Sequence, residues 1–184
     1  MAKEKNIVLC RSSRLYLSPV KLEYAEVMTR WYNDPQVYGH IRDMSTSITV
    51  QEQEAWIKAL PGDPTQTEYA LFYIPDGALI GMGGFKNISV EDHFGEIWRV
   101  IGETKYWGLG LGTELFQLLC LYGFESLGFK NILGEHYACN PASLASAKKA
   151  GAKFMGTRRQ ARLLNGQRWD IHYTDILPHE LIKP

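Results

Sequence analysis

Long apolar runs are missing from this chain: none extends beyond a few residues, far short of the ~20 needed to cross a bilayer as a helix. The N-terminal MAKEKNIVLCRSS lacks the apolar centre of a signal peptide, so a soluble cytoplasmic protein with no membrane partner is expected. Cysteine is scarce. Cys10, Cys120 and Cys139 are odd in number and form no CxxC pair, which argues against a disulfide framework. Cys120, in an apolar helical stretch, and Cys139, at a strand end, read as small core residues rather than nucleophiles. The five histidines (His40, His93, His136, His172 and His179) form neither HExxH nor a zinc-ligand spacing, so no metal is expected. Internal repeats and low-complexity linkers are also lacking. What remains is 184 residues with 45% hydrophobic, 22% charged and 12% aromatic content, the profile of one globular domain over residues 1–184.

Net charge is absent too, with 20 Lys plus Arg against 20 Asp plus Glu, but the signs are segregated. Residues 1–22 carry five basic and one acidic residue, and residues 23–96 carry four basic and twelve acidic. Residues 136–169 carry seven basic and no acidic residues. Such blocks allow two oppositely charged ligands on one surface, or simply interleave on folding.

Local patterns give an order of elements. RLYLSPV alternates as a strand, and residues 21–33 place Leu22, Ala25, Val27, Met28 and Trp31 at broadly helical spacing before NDP closes the segment. Thr49 followed by Glu52 predicts a capping box for a second helix. EYALFYI and ALIGMGGF flank the turn PDG as a hairpin, and FGEIWRVIG is a further strand. WGLGLG leads into a helix with Leu111, Leu115, Leu118, Leu119 and Tyr122 on one stripe. A strand (KNILGEHYA), a short helix (NPASLASAKKAGA) and two strands around Asn165-Gly166 complete the order βααβββαβαββ, a mixed α/β sheet ending in an antiparallel hairpin.

Gly108, Gly110 and Gly112 make a glycine-rich turn between strand and helix, where converging backbone N–H groups and the helix N-terminus can hold phosphate oxygens. The spacing fits neither a P-loop, which needs GxxxxGK[ST], nor a dinucleotide fingerprint, whose last glycine position here is Thr113. YWGLGLGTEL, with NPASLASAKKAGA thirty residues on, resembles the acetyl-CoA-binding core of the GNAT superfamily of N-acetyltransferases. Trp107 stands at the Gln/Arg position of that family's [QR]xxGx[GA] pattern, Gly110 and Gly112 at the glycines, and Asn140 at the asparagine ending the next strand. The YWG variant and SSRLYLSPV…WYNDPQV resemble the branch that acetylates protein N-termini and related small amines. The resemblance runs from about residue 14 to 177 and implies a mostly antiparallel twisted sheet of about seven strands flanked by helices.

It also implies site residues. Val100 and Ile101 match the splayed strand whose backbone polarises the thioester carbonyl. Trp107, Gly108, Leu109, Gly110, Leu111, Gly112, Thr113, Asn140 and Ser143 would hold acetyl-CoA, the cosubstrate. The tyrosine that acts as general acid in many relatives is replaced by Ala147, and the family's Gly-Phe pair appears as Gly151-Ala152. Asn140-Pro141-Ala142-Ser143 resembles the NxAS of the ribosomal-protein branch, in which the serine is the proposed acid; Ser143 has that reading and the plainer one of a helix cap. Glu96 resembles a strand-opening glutamate and is the first candidate base, or else an exposed strand-end carboxylate; His136 is a weaker alternative. By the two-residue period Glu96, Trp98 and Val100 share one face and Ile97, Arg99 and Ile101 the other.

Trp31, Tyr32, His40 and Trp98 are candidates for the acceptor pocket, against plain core packing. The acidic block would favour a cationic amine, and Lys148, Lys149, Lys153, Arg158 and Arg159 the phosphates of CoA. The expectation is direct acetyl transfer to a primary amine by a monomer or homodimer with no nucleic-acid partner. A CoA-binding sensor without turnover is the alternative.

Overall fold

The computed structural model describes residues 6–184. The first five residues, part of the basic N-terminal block and of the segment read as lacking a signal peptide, lie outside them. Among the described residues eight strands form one sheet: β1 (Cys10–Arg11), β2 (Leu15–Pro19), β3 (Thr67–Tyr73), β4 (Ala78–Ser89), β5 (Phe94–Ile101), β6 (Asn131–Tyr137), β7 (Lys153–Leu164) and β8 (Gln167–Ile176). Their spatial order is β1-β2-β3-β4-β5-β6-β8-β7, antiparallel at every step except β5–β6. The expected count of about seven falls one short, because a two-residue strand has no period to read.

Five α-helices are α1 (Ala25–Asn33), α2 (Pro35–Tyr38), α3 (Val50–Ala59), α4 (Leu111–Glu125) and α5 (Pro141–Lys149). The NDP that closes α1 also opens α2: Asp34 Oδ1 accepts from the Gln36 N–H at 2.8 Å, and Pro35 takes the first helical position, where a missing N–H costs nothing. Thr49 and Glu52 form the reciprocal capping box that starts α3, with Thr49 N–H to Glu52 Oε2 at 2.7 Å and Glu52 N–H to Thr49 Oγ1 at 3.2 Å. Asn165 and Gly166 both have positive φ, as the two-residue β7–β8 turn requires.

Strand alternation sends side chains to two cores, one on each face. Leu71, Ile80, Phe85 and Ile97 pack under α4 with Leu111, Leu115, Leu118 and Leu119. Ala70, Phe72, Met82 and Val100 pack on the other face with Met28, Trp31, Val37 and Ile57. The leucine-rich α4 has five leucine or phenylalanine side chains at 1% exposure or less, each contributing about 1.5–3 kcal/mol by leaving water.

One interruption in this sheet positions the site. The parallel β5–β6 pairing runs from Phe94–Asn131 to Ile97–Gly134 and stops, although both strands continue. Beyond that point the two strands diverge, and α4 and α5 start from the open crevice at their carboxyl ends, the place where ligands bind in sheets with parallel neighbours.

Candidate functional site

A groove of about 540 Å³ occupies the divergence of β5 and β6. Val100 and Ile101 form its floor, the turn from Trp107 through Thr113 one side, and Asn140, Ser143 and Ser146 of α5 the other. Of the eleven residues that the resemblance assigns to acetyl-CoA, ten line this groove; Leu109 does not, and its side chain is half-exposed.

The turn has its shape for two reasons. Gly108 and Gly110 have φ of 78° and 79°, the left-handed region that costs other residues roughly 1–2 kcal/mol. It is also tied at both sides. Trp107 Nε1 donates to the Ile101 carbonyl at 2.8 Å, and Arg14 Nη1 donates to the Leu109 carbonyl at 3.0 Å. Arg14 in turn is paired with Glu114 in the first turn of α4, with Nε to Oε2 at 2.7 Å, while the Arg14 N–H and Ser12 Oγ donate to Oε1 at 3.1 and 2.6 Å. Burial alone would raise the Glu114 pKa; these donors outweigh it and hold the carboxyl below its usual value. The first N–H groups of α4 lack intrahelical acceptors and carry the positive end of the helix dipole, so this braced turn suits an anion. The sequence reading did not single out Arg14 or Glu114.

On the α5 side the Ser143 Oγ lies 2.8 Å from His136 Nδ1, and His136 Nε2 lies 2.9 Å from Thr174 Oγ1. The side chain that was also read as a helix cap therefore bonds to a histidine. His136 is 1% exposed; burial chiefly, then the charge of Arg99 and then His172, push its pKa down to about 3, so the ring is neutral at physiological pH. Arg99 donates to the Ser143 carbonyl at 3.1 Å and to Ser146 Oγ at 2.6 Å, and its guanidinium lies 4.7 Å from the centre of the Phe116 ring. Burial pulls its pKa down to about 10, which still leaves it charged in the groove wall. Ala147 is the fully buried residue of α5, so the position of the missing tyrosine faces the core.

Other expected residues lie elsewhere. Glu96 is 7% exposed and lines neither cavity; Lys86 Nζ is 2.7 Å from Oε1, and Asn87 Nδ2 donates to Oε2 at 2.8 Å. It is thus neither an exposed strand-end carboxylate nor adjacent to the groove. Trp31 is a core residue at 1% exposure whose indole donates to Glu103 at 2.9 Å. His40 lines the CoA-type groove rather than a separate pocket. Of the five basic residues assigned to phosphates, Lys149 lines the groove, where it joins Arg99.

Tyr32 and Trp98 meet in a second cavity of about 490 Å³ on the α1–α3 face, which shares Ile41 with the groove. Its wall also holds Glu68, which sequence reasoning missed. Trp98 Nε1 donates to Glu68 Oε1 at 3.1 Å, while the buried Oε2 has no hydrogen-bond partner. Burial, opposed only by the Trp98 bond, pushes the Glu68 pKa up to about 9. A readable signal existed: Glu68 is in phase with Ala70 and Phe72, a carboxylate on an otherwise buried strand face.

Comparison with known proteins fits this geometry. The family profile described as "Acetyltransferase (GNAT) domain" matches residues 14–153. The chain belongs to the GNAT acetyltransferase family. It is 25% identical over 171 residues to an uncharacterized N-acetyltransferase p20 of Bacillus licheniformis, covering 92% of this chain and 96% of that protein. It is 31% identical over 104 residues to the uncharacterized N-acetyltransferase YoaA of Bacillus subtilis, covering 55% and 58%. Among solved structures, a spermidine N-acetyltransferase from Vibrio cholerae in complex with CoA and spermine superposes with TM-score 0.83 at 17% identity, covering 92% of this chain and 98% of that one. A GNAT-family acetyltransferase from Bacillus anthracis gives 0.78 at 21%, covering 93% and 99%. This GNAT protein is accordingly an enzyme of the N-acetyltransferase class, with the mixed, mostly antiparallel sheet expected for it.

Proposed function

We propose that this enzyme binds acetyl-CoA in the β5–β6 groove and transfers the acetyl group directly to a primary amine. The observation that carries the reading is the end of β5–β6 pairing at Ile97–Gly134, which frees the backbone around Val100 and Ile101 beside a braced glycine turn. The turn and the first amides of α4 hold the pyrophosphate, with Lys149 and Arg99 adding positive charge. The freed strand leaves a backbone N–H to polarise the thioester carbonyl.

The acceptor nitrogen must arrive neutral. Its lone pair forms the C–N bond as the C–S bond breaks, the sulfur takes the electron pair, and the amine's surplus proton leaves to solvent. An α-amine (pKa about 8) meets this requirement more readily than a lysine-type amine (about 10.4). A serine hydroxyl is a far weaker acid than a thiol, so Ser143 assists by donating a hydrogen bond to the sulfur as charge develops. The neutral His136 supports that role: with its proton on Nδ1 it donates to Ser143 Oγ, freeing the hydroxyl hydrogen, while Nε2 accepts from Thr174. Glu96, held by Lys86, has no part in this reading.

The second cavity, of about 490 Å³ with aromatic walls and Glu68, is of a size and chemistry to take a small amine, which favours that acceptor over a folded protein's N-terminus. Mass spectrometry of the products formed from acetyl-CoA with a panel of peptide N-termini, linear amines and amino sugars tests the reading. A gain of one acetyl group on small primary amines is expected. Tight acetyl-CoA binding with no product from any amine would instead make the chain a CoA sensor.

A further inference from the structure

The second cavity contains an unusual wall. Glu68 stands among Tyr32, Tyr38, Trp56 and Trp98 with one carboxylate oxygen buried and unpartnered. An unsatisfied buried oxygen is costly, and a functional role or a bound water or ion is among the reasons a native structure keeps one. No ion pair to Glu68 forms among the described residues. The charged groups nearby are engaged elsewhere: Glu52 with the N-terminus of α3, Lys86 with Glu96 and Glu135, and Arg42 over the Tyr32 ring and on the Asp43 and Thr46 carbonyls. The phenol of Tyr38 is pushed far up by burial and stays neutral. A carboxyl group without a cation, inside an aromatic box, is complementary to an ammonium ion, which gains both the charge and the ring faces.

Register fixes where that ammonium would sit relative to the chemistry. Glu68 pairs with Gly84, Gly84 with Trp98, and Val100 lies two residues beyond Trp98 on the same face. Two strand spacings and two residue rises separate the backbones by about 12 Å. The glutamate side chain shortens this, leaving roughly 6–9 Å between its carboxyl and a nitrogen beside Val100, the span of a chain of about four to six carbons. The shared Ile41 makes the two cavities neighbours.

We propose that this cavity is an ammonium subsite, in which Glu68 and its aromatic walls hold the far nitrogen of a linear diamine while the near nitrogen reaches the groove beside Val100. The inference rests on the transferase reading and names its acceptor class. Proton balance follows. Empty, Glu68 is held protonated by burial at neutral pH; when the far ammonium arrives, the carboxyl ionises and its proton passes to buffer.

Calorimetric titration of the wild-type enzyme at pH 7 with 1,5-diaminopentane and with pentylamine, in two buffers of different ionisation enthalpy, tests this. The diamine is expected to bind at least tenfold more tightly than the monoamine and to release an additional proton. In Glu68→Gln both the preference and the additional proton are expected to vanish. Equal affinity for the two amines in the wild type, or an undiminished diamine preference in Glu68→Gln, would overturn the proposal. The wild-type comparison requires no variant to fold. Acetylation of pentylamine by the wild type would leave the transferase reading standing even if the subsite fails, whereas absence of acetyl-CoA binding would remove that reading whatever the diamine does.

Discussion

At the scale of single residues, Ser143 and His136 carry the most specific consequences. Ser143→Ala is expected to lower kcat about tenfold while leaving the affinity for acetyl-CoA within twofold, since one hydrogen bond to a charged atom is removed and the pyrophosphate cradle is not; steady-state kinetics with direct binding separates the two. His136 adds a stability signature. Its folded pKa of about 3 lies below the ordinary value of 6.5, so the unfolded chain binds the extra proton between those limits. Stability contributed by the neutral ring is present above pH 6.5 and is lost as pH falls toward 3. His136→Gln should therefore show a flatter decline of melting temperature between pH 6.5 and 5 than the wild type, and an unchanged slope would mean that the ring is not buried neutral. Residue identity was partly legible. Gly110, Asn140 and Ser143, which line the groove, stood out because each belongs to a short local pattern, GLGLG or NPAS. The His136–Ser143–Thr174 chain could not, because β8 supplies Thr174 through a β6–β8 pairing 38 residues apart. The surroundings of Glu96 were unreadable for a related reason: strand phase gives its face but not Lys86 beside it.

At the scale of elements, α4 and the turn before it depend on β2. Arg14 immediately precedes that strand, yet its guanidinium spans the Leu109 carbonyl and the Glu114 carboxylate, 95 and 100 residues later. Arg14→Ala leaves Glu114 largely buried with Ser12, Ser13 and a backbone N–H as its donors, at a cost of about 1–2 kcal/mol, moderated because Arg14 itself is 41% exposed. The predicted outcome is a lower melting temperature together with at least fivefold weaker acetyl-CoA binding, because the turn loses its outer tether; a loss of stability with intact CoA affinity would confine Arg14 to packing. Elements with strong local signals were readable: the Thr49–Glu52 box, the leucines of α4 and the Asn165-Gly166 turn each follow from neighbours in sequence. β1 and α2 were not, being two and four residues long and defined by what they pair with or cap.

At the scale of the whole molecule, neutrality is a sum of separated parts. The acidic block supplies Glu52 and Glu68 to the second cavity, whereas the groove is lined by Lys149 and Arg99 and by no carboxylate. The basic block contributes less to the groove than its seven charges suggest. Lys148 lies over the Phe154 ring and Arg162 over Tyr137, so much of that charge is spread along α5 and the β7–β8 hairpin. Raising salt from 0.05 to 0.5 M should therefore weaken acetyl-CoA binding only severalfold, with Lys149→Ala removing most of the salt dependence, as the embedded Arg99 is poorly screened. A salt response unchanged in Lys149→Ala would place the phosphates elsewhere.

On the proposed reading, the diverging β5 and β6 strands and their glycine turn form an acetyl-transfer site. Thiol release from acetyl-CoA on addition of pentylamine, measured for the wild type and for Gly110→Glu, tests it most directly. One free thiol per acetylated amine is expected in the wild type, and neither thiol nor acetyl-CoA binding in Gly110→Glu, whose side chain brings bulk, strain at positive φ and negative charge into the cradle. Undiminished thiol release by Gly110→Glu, or thiol release without acetylated amine in the wild type, would contradict it.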